Sequence, residues 1–120
     1  MPHAIIKTAL TLEQIEAAYQ PFRIAEENLH LNLMEMYHSK DGRKLFVEAY
    51  VQEEPISQRV GLLIRKREDG DYIVCLHDVG FPRPTVGLQT AVRSLAAWLR
   101  DLHADTILAQ HNLGTFPARA

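Results

Sequence analysis

The sequence predicts an α+β fold in which an antiparallel sheet carries a long C-terminal helix on one face. Three features predict this class. Positions 45, 47, 49 and 51 are all aliphatic, and this alternation is typical of a half-buried strand. Asp-Gly pairs at positions 41–42 and 69–70 separate runs of strand-forming residues, as they do in β-hairpins. Between residues 85 and 103, apolar side chains recur at helical spacing instead.

Four strands form the predicted sheet as a meander, with the order α-β-β-β-β-α along the chain. The predicted strands are Leu29–His38, Lys44–Gln52, Val60–Arg67 and Asp71–Val79. We expect a type I′ turn at positions 69–70, because Asp-Gly tolerates the positive φ angles of that turn. Segment 53–59 contains Pro55 and is predicted to be a polar loop. Thr106–Gln110 is either a fifth strand or a continuation of the long helix.

The first predicted strand breaks its own alternation. Leu31 and Leu33 are apolar at odd positions, whereas Met34 and Met36 are apolar at even positions. A shift of one residue turns side chains to the other face of a sheet unless the strand contains a bulge. The sequence therefore predicts a bulge near Leu33-Met34, or else a strand that is buried on both faces.

Two helices are predicted to pack against the sheet. Thr11 and Gln14 have the spacing of a capping box, which starts a short N-terminal helix. Thr85 is the expected N-cap of the long helix, which ends near His103. The apolar stripe of the long helix should close the core, with Trp98 as its largest buried side chain. Its polar side is predicted to hold Gln89, Arg93, Arg100 and Asp101.

Length and composition predict a single domain over residues 1–110, followed by a loose tail at 111–120. The hydrophobic fraction of 47% and the charged fraction of 23% are ordinary for a globular protein. No apolar run is long enough to cross a bilayer, so we predict no membrane partner. Cys75 is the only cysteine, which favours a reducing, cytoplasmic location. The net charge of −2 argues against a nucleic-acid partner.

Both faces of the predicted sheet carry apolar side chains, and this is the main functional hint in the sequence. Phe46, Tyr50 and Leu63 lie opposite the aliphatic rows of their strands, and Met34 or Met36 would add to them. Such a second apolar face is typical of a protein–protein interface. We therefore predict a small non-catalytic adaptor or regulatory protein that binds a protein partner or itself as a homodimer. The alternative is a monomer in which the short N-terminal helix covers this face.

A second hypothesis is a small-molecule or anion-binding protein, or an enzyme, that uses the loop Gly80–Pro84. This loop leads into the start of a helix, where backbone N–H groups favour anions. Arg83, His77 and Gly80 are its candidate ligand-binding residues. The spacing of the histidines and the one cysteine matches no metal-binding motif. The sequence therefore predicts no metal, no cofactor and no catalytic residue.

Overall fold

The structure of the protein is a computed structural model, which describes residues 1–77 and 83–119. Within these residues the chain forms seven strands, joined in one curled antiparallel sheet, and two helices. The strands are β1 (His3–Lys7), β2 (Phe22–Glu26), β3 (Leu29–His38), β4 (Lys44–Glu53), β5 (Ile56–Lys66), β6 (Tyr72–Leu76) and β7 (Ile107–His111). The helices are α1 (Leu12–Ala18) and α2 (Val86–Asp101). The predicted class, α+β with an antiparallel sheet, is confirmed.

Three further strands extend the predicted four-stranded meander. The spatial order of the sheet is β2-β3-β4-β5-β6-β1-β7, so β3 to β6 do form a meander at its centre. The order along the described chain is β-α-β-β-β-β-β-α-β, which corrects the predicted α-β-β-β-β-α. Of the two alternatives predicted for Thr106–Gln110, the strand is correct, because residues 107–110 of this segment belong to β7.

The strand β1 lies between β6 and β7, although both partners are distant in sequence. His3 pairs with Cys75 of β6, and Ala4 pairs with His111 of β7. Ala4 and Ile6 are fully buried, so the short alternation of β1 directs every second side chain into the core. An apolar run of this length carries little signal before its partners are known, which is why β1 was not predicted.

The Asp-Gly pairs connect hairpins as predicted, but the expected type I′ turn is wrong. Only the glycines of the two pairs have positive φ, 72° at Gly42 and 91° at Gly70, whereas a type I′ turn needs positive φ at both central residues. The prediction for segment 53–59 is also wrong. The pairing of β4 with β5 continues to Glu53 and Ile56, so a tight turn replaces the polar loop.

The predicted bulge in β3 is confirmed. The register between β3 and β4 shifts between Leu33 and Met36. Leu33 is buried, and Met36 packs against the core on the other side of the bulge. The extra residue therefore keeps both apolar runs of β3 directed to the same face.

Both helices begin at the predicted caps. The Thr11 hydroxyl accepts the Gln14 N–H at 3.1 Å, and the Gln14 side chain accepts the Thr11 N–H at 2.8 Å. At α2, the Thr85 hydroxyl accepts the Leu88 N–H at 3.2 Å. These contacts satisfy N–H groups that the first turn of a helix leaves without intrahelical partners.

Trp98 joins the two helices rather than filling the centre of the core. Its ring packs edge-on against the Tyr19 ring, with 5.3 Å between centroids, and it is only partly buried. Burial first, and then the Glu35 carboxylate, raises the pKa of Tyr19 to about 12. The fully buried side chains that α2 contributes to the core are aliphatic: Leu88, Ala91, Val92, Leu95, Ala96 and Leu99.

The segment after β7, for which a loose tail was expected, folds back onto α2. Leu113 is fully buried in the core. The Arg119 guanidinium donates to three backbone carbonyls at and beyond the end of α2, at 2.8 to 3.1 Å. Phe116 lies 5.8 Å from the Arg100 guanidinium, and Arg100 is 6% exposed. The predicted solvent-facing position of Arg100 is therefore wrong, because the returning segment covers that side of α2.

Candidate functional site

The two helices pack on the same face of the sheet. Leu12 and Ile15 of α1 lie in one core cluster with the apolar side of α2. The inward-facing strand residues of this cluster include Leu45, Val47, Ala49, Val51, Leu62, Ile64 and Val74. We call the opposite face, which points away from the helices, the outer face. The alternative in which the N-terminal helix covers the second apolar face is therefore wrong.

A row of five side chains in register crosses the middle of the outer face. Tyr37 of β3 pairs with Phe46 of β4, and Phe46 pairs with Leu63 of β5. Leu63 pairs with Cys75 of β6, which pairs with His3 of β1. We call these five residues the outer row. Adjacent strands lie about 4.8 Å apart, so the outer row extends over about 19 Å.

Phe46 is held at the centre of the outer row by a glycine and a histidine. Its ring meets the His77 ring edge-on, with 5.3 Å between centroids and an interplanar angle of 89°. Gly61 leaves the space that the Phe46 ring occupies, because a Cβ atom there would lie 2.5 Å from Phe46 Cε2 and 3.1 Å from His77 Cβ. This packing explains why Phe46 is half-buried although neither helix covers it.

Charges of opposite sign flank the outer row. On one side, Lys44 of β4 pairs with Arg65 of β5, and both side chains are exposed. On the other side lies Glu48, which is half-buried. Partial desolvation raises the pKa of Tyr37, and the carboxylates of Glu48 and Glu35 raise it further. One side of the row is therefore basic and the other acidic.

Of the remaining predicted interface residues, Tyr50 shares the outer face and Met36 does not. Tyr50 is half-buried and in register with Asn32 and Arg59. Met34 lies within the bulge of β3, where its carbonyl accepts a hydrogen bond from the Tyr19 hydroxyl at 2.6 Å, and its side chain is half-buried. Met36 packs against the core instead.

The predicted interface leaves out two aliphatic residues of the outer face. Ile5 of β1 pairs with Ile73 of β6 beside the outer row, and both are half-buried. The alternation within β6 predicts that Ile73 lies on the same side as Cys75, but Ile73 is not among the predicted interface residues. Ile5 lies on the strand that was not predicted, so its place on this face depends on a pairing that the sequence does not reveal.

Two of the three residues of the ligand-binding hypothesis lie within the described chain. His77 packs against Phe46 at the outer face. Arg83 is exposed, and its backbone is held by Gln58: the Arg83 N–H donates to Oε1 at 3.0 Å, and the Arg83 carbonyl accepts from Nε2 at 3.2 Å. Gly80 lies outside the described residues. Ligand binding at this loop stays a prediction.

The start of α2 has a capping side chain that sequence reasoning missed. The Glu53 carboxylate accepts hydrogen bonds from the Thr85 hydroxyl and from the Gly87 N–H, the latter at 3.2 Å. Glu53 is 34 residues from Gly87, so no local pattern signals the contact. The Gly87 and Leu88 N–H groups, which would attract an external anion, therefore have acceptors inside the protein.

Within residues 1–77 and 83–119, no group of three or more His, Cys, Asp or Glu side chains is placed to hold a metal ion. Neither helix of this described part combines the length and the apolar character needed to cross a bilayer. No protein-family model matches the sequence, and comparison with curated proteins and with solved structures finds no match.

Proposed function

We propose that this chain is a small non-catalytic adaptor or regulatory protein that forms a homodimer through the outer face of its sheet. The observation that carries the proposal is the packing of both helices on the opposite face, where they join the buried core cluster. The outer row therefore has no helical cover within the described chain. Fully burying a Phe or Leu side chain stabilises by about 1.5–3 kcal/mol, so shielding this row from water would favour association.

The charges beside the outer row favour a second copy of the chain as the partner. In a two-fold dimer the same patch meets itself. An axis along the outer row exchanges the two sides of the row, so Lys44 would face Glu48 of the partner subunit. Lys44 and Glu48 stand two residues before and two residues after Phe46 on β4. Each dimer would contain this ion pair twice, once on either side of its apolar centre.

The size of the patch sets the expected affinity. The outer row extends over about 19 Å, and β4 from Lys44 to Tyr50 extends over about 20 Å. An area of about 400 Å² is smaller than the roughly 800 Å² that each partner buries in a standard stable interface. We therefore expect a weak dimer, with a Kd in the micromolar range, which is about 8 kcal/mol of binding free energy.

Sedimentation equilibrium from about 1 to 500 µM, which brackets this Kd, tests the proposal. The wild-type protein should change from monomer to dimer across this range. Leu63→Glu should remain monomeric, because it places an uncompensated carboxylate in the apolar centre. Folding of this variant is checked by circular dichroism. A wild-type protein that stays monomeric at the highest concentration contradicts the proposal.

A charge exchange tests the proposed register. Lys44→Glu and Glu48→Lys should each weaken the dimer about tenfold or more, because like charges then face each other across the axis. The double variant should recover most of the affinity, since both ion pairs are restored with reversed sign. Lys40→Glu, in the exposed turn after β3, is the matched control and should leave the dimer unchanged. A double variant as weak as either single variant rules out this register.

A further inference from the structure

A second site lies on the helix side of the sheet, where the curled sheet leaves a gap. The cleft has a volume of about 350 Å³. It is bounded by three parts of the chain: the edge strand β2, the middle of α2 and the segment after β7. The residues that line it are Ile24, Glu26, Thr90, Arg93, Ser94, Thr115, Phe116 and Pro117.

Arg93 provides a positive charge in this cleft, and it forms no ion pair with a carboxylate of the described residues. Its Nη1 donates to the Leu113 carbonyl at 2.8 Å, and its Nη2 donates to the Thr90 hydroxyl at 3.2 Å. Both acceptors are neutral. Within the described residues, no carboxylate lies within 4.0 Å of the guanidinium. A guanidinium has five N–H donors, so three remain for another acceptor.

Two hydroxyl groups add to these donors. The side chains of Ser94 and Thr115 line the same cleft, and neither makes a hydrogen bond with the described part of the chain. The Thr90 hydroxyl is already engaged, because it donates to the Val86 carbonyl at 3.0 Å and accepts from Arg93. The cleft thus combines one half-buried cation with two available hydroxyls, which is a donor set that suits an anion.

The remaining walls of the cleft are apolar. Ile24, Phe116 and Pro117 supply an aliphatic side chain, an aromatic ring and a pyrrolidine ring. The Phe116 ring packs against the His111 ring in a tilted arrangement, with 4.6 Å between ring centroids and an interplanar angle of 58°. A bare inorganic anion would leave these walls in contact with water. An organic anion would place its charged group on Arg93 and its apolar part against them.

We infer that this cleft binds a small organic anion, a carboxylate or a phosphate monoester that carries an apolar group. Arg93 holds the anionic group, Ser94 and Thr115 donate to its oxygens, and Phe116 contacts the apolar part. Glu26 at the rim opposes an anion by like-charge repulsion and limits the affinity. The site is separate from the outer face, so it is independent of dimer formation.

Titrations followed by ¹H–¹⁵N NMR test this inference, with benzoate, phenyl phosphate and inorganic phosphate as probes. Benzoate or phenyl phosphate should shift the Arg93 side-chain Nε–H signal and the Thr115 and Phe116 amides in a saturable manner. We expect a millimolar Kd, which is about 4 kcal/mol. The tighter of the two aromatic probes identifies the anionic group. Inorganic phosphate should bind at least several-fold more weakly, and neutral benzamide should not bind.

Variants separate binding from structural support. Arg93→Gln should weaken binding about tenfold or more. Arg93→Gln also removes the hydrogen bond to the Leu113 carbonyl. Ser94→Ala and Thr115→Ala keep that hydrogen bond, and each should weaken binding a few-fold. Glu26→Gln should strengthen binding, and Arg59→Gln on the outer face is the matched control. The inference is overturned if no probe causes a saturable shift. It is also overturned if binding is the same in Arg93→Gln, Ser94→Ala and Thr115→Ala as in the wild-type protein.

Discussion

Gly61 is the residue on which the packing of the outer face depends most directly. Its missing side chain is the space that the Phe46 ring occupies, and the ring in turn contacts His77. Any side chain at position 61 must displace the ring or push the strand away from it. Phe46 can therefore be half-buried at this place only because Gly61 has no Cβ atom.

Gly61→Ala should destabilise the protein by about 1–3 kcal/mol, because the added methyl group overpacks this contact. Urea denaturation at low protein concentration measures the change in the free energy of unfolding. In a Phe46→Ala background, Gly61→Ala should lower the free energy of unfolding by clearly less, since the ring atoms nearest the new methyl group are gone. The contact with His77 Cβ keeps the remaining cost above zero. Equal costs in both backgrounds contradict this account.

At the residue scale, alternation predicts side-chain direction only where the strand is regular. The directions of Phe46 and Tyr50 follow from the alternation of β4. That of Met36 does not, because it depends on where the bulge of β3 falls. Arg93 and Arg100 lie on the polar side of α2 by helical periodicity. Their half-buried and buried states come from a segment that returns from beyond β7, which periodicity cannot reveal.

At the scale of elements, α2 is tied to the sheet by its first turn. Glu53 ends β4 and accepts hydrogen bonds from Thr85 and Gly87 at the start of the helix. A carboxylate there also interacts favourably with the positive end of the helix dipole. One side chain therefore fixes where the helix begins relative to the central hairpin of the sheet.

Glu53→Ala should lower the free energy of unfolding by about 1–2 kcal/mol, because it leaves the Thr85 and Gly87 donors without this acceptor. Glu53→Gln should lose less, since one side-chain oxygen remains while the charge is removed. Glu54→Ala, at the exposed neighbouring position, is the matched control and should change stability by less than about 0.5 kcal/mol. Urea denaturation compares the three variants, and similar losses for Glu53→Ala and Glu54→Ala would dismiss the capping role.

The elements that sequence could predict are those specified by nearby residues. Capping boxes, Asp-Gly turns and long alternating runs are local, and they identify both helices and the four strands of the meander. The cap by Glu53 and the strand β1 depend on partners that are distant in sequence. The type of turn is likewise set by the strands that it joins, which is why the Asp-Gly pairs connect hairpins without forming the expected type I′ turn.

At the scale of the whole molecule, the sheet has a core side and an outer side with different roles. Ile5 and Ile6 of β1 are neighbours in sequence but point to opposite sides. Ile6 is fully buried in the core, whereas Ile5 is half-buried on the outer face beside Ile73. This adjacent pair allows the stability of the fold to be separated from association of the proposed dimer.

Ile6→Ala should lower the free energy of unfolding of the monomer by about 2–5 kcal/mol, because it opens a cavity in the core. Ile5→Ala should cost less stability but weaken the proposed dimer, because the side chain it truncates lies on the outer face. Urea denaturation at low concentration and sedimentation equilibrium measure the two effects. A greater loss of monomer stability from Ile5→Ala than from Ile6→Ala would mean that the two faces are assigned the wrong way round.

The position of β1 between β6 and β7 has a consequence for synthesis on the ribosome. β1 is synthesised before both of its partner strands, and the His3 N–H finds its acceptor on Asn112, 109 residues later. At roughly 5–20 residues per second, translation of that interval takes about 5–20 s. During this time the edge of β1 that pairs with β7 is available to chaperones and to other nascent chains. Slow codons placed before β7 would lengthen that exposure without changing a single amino acid.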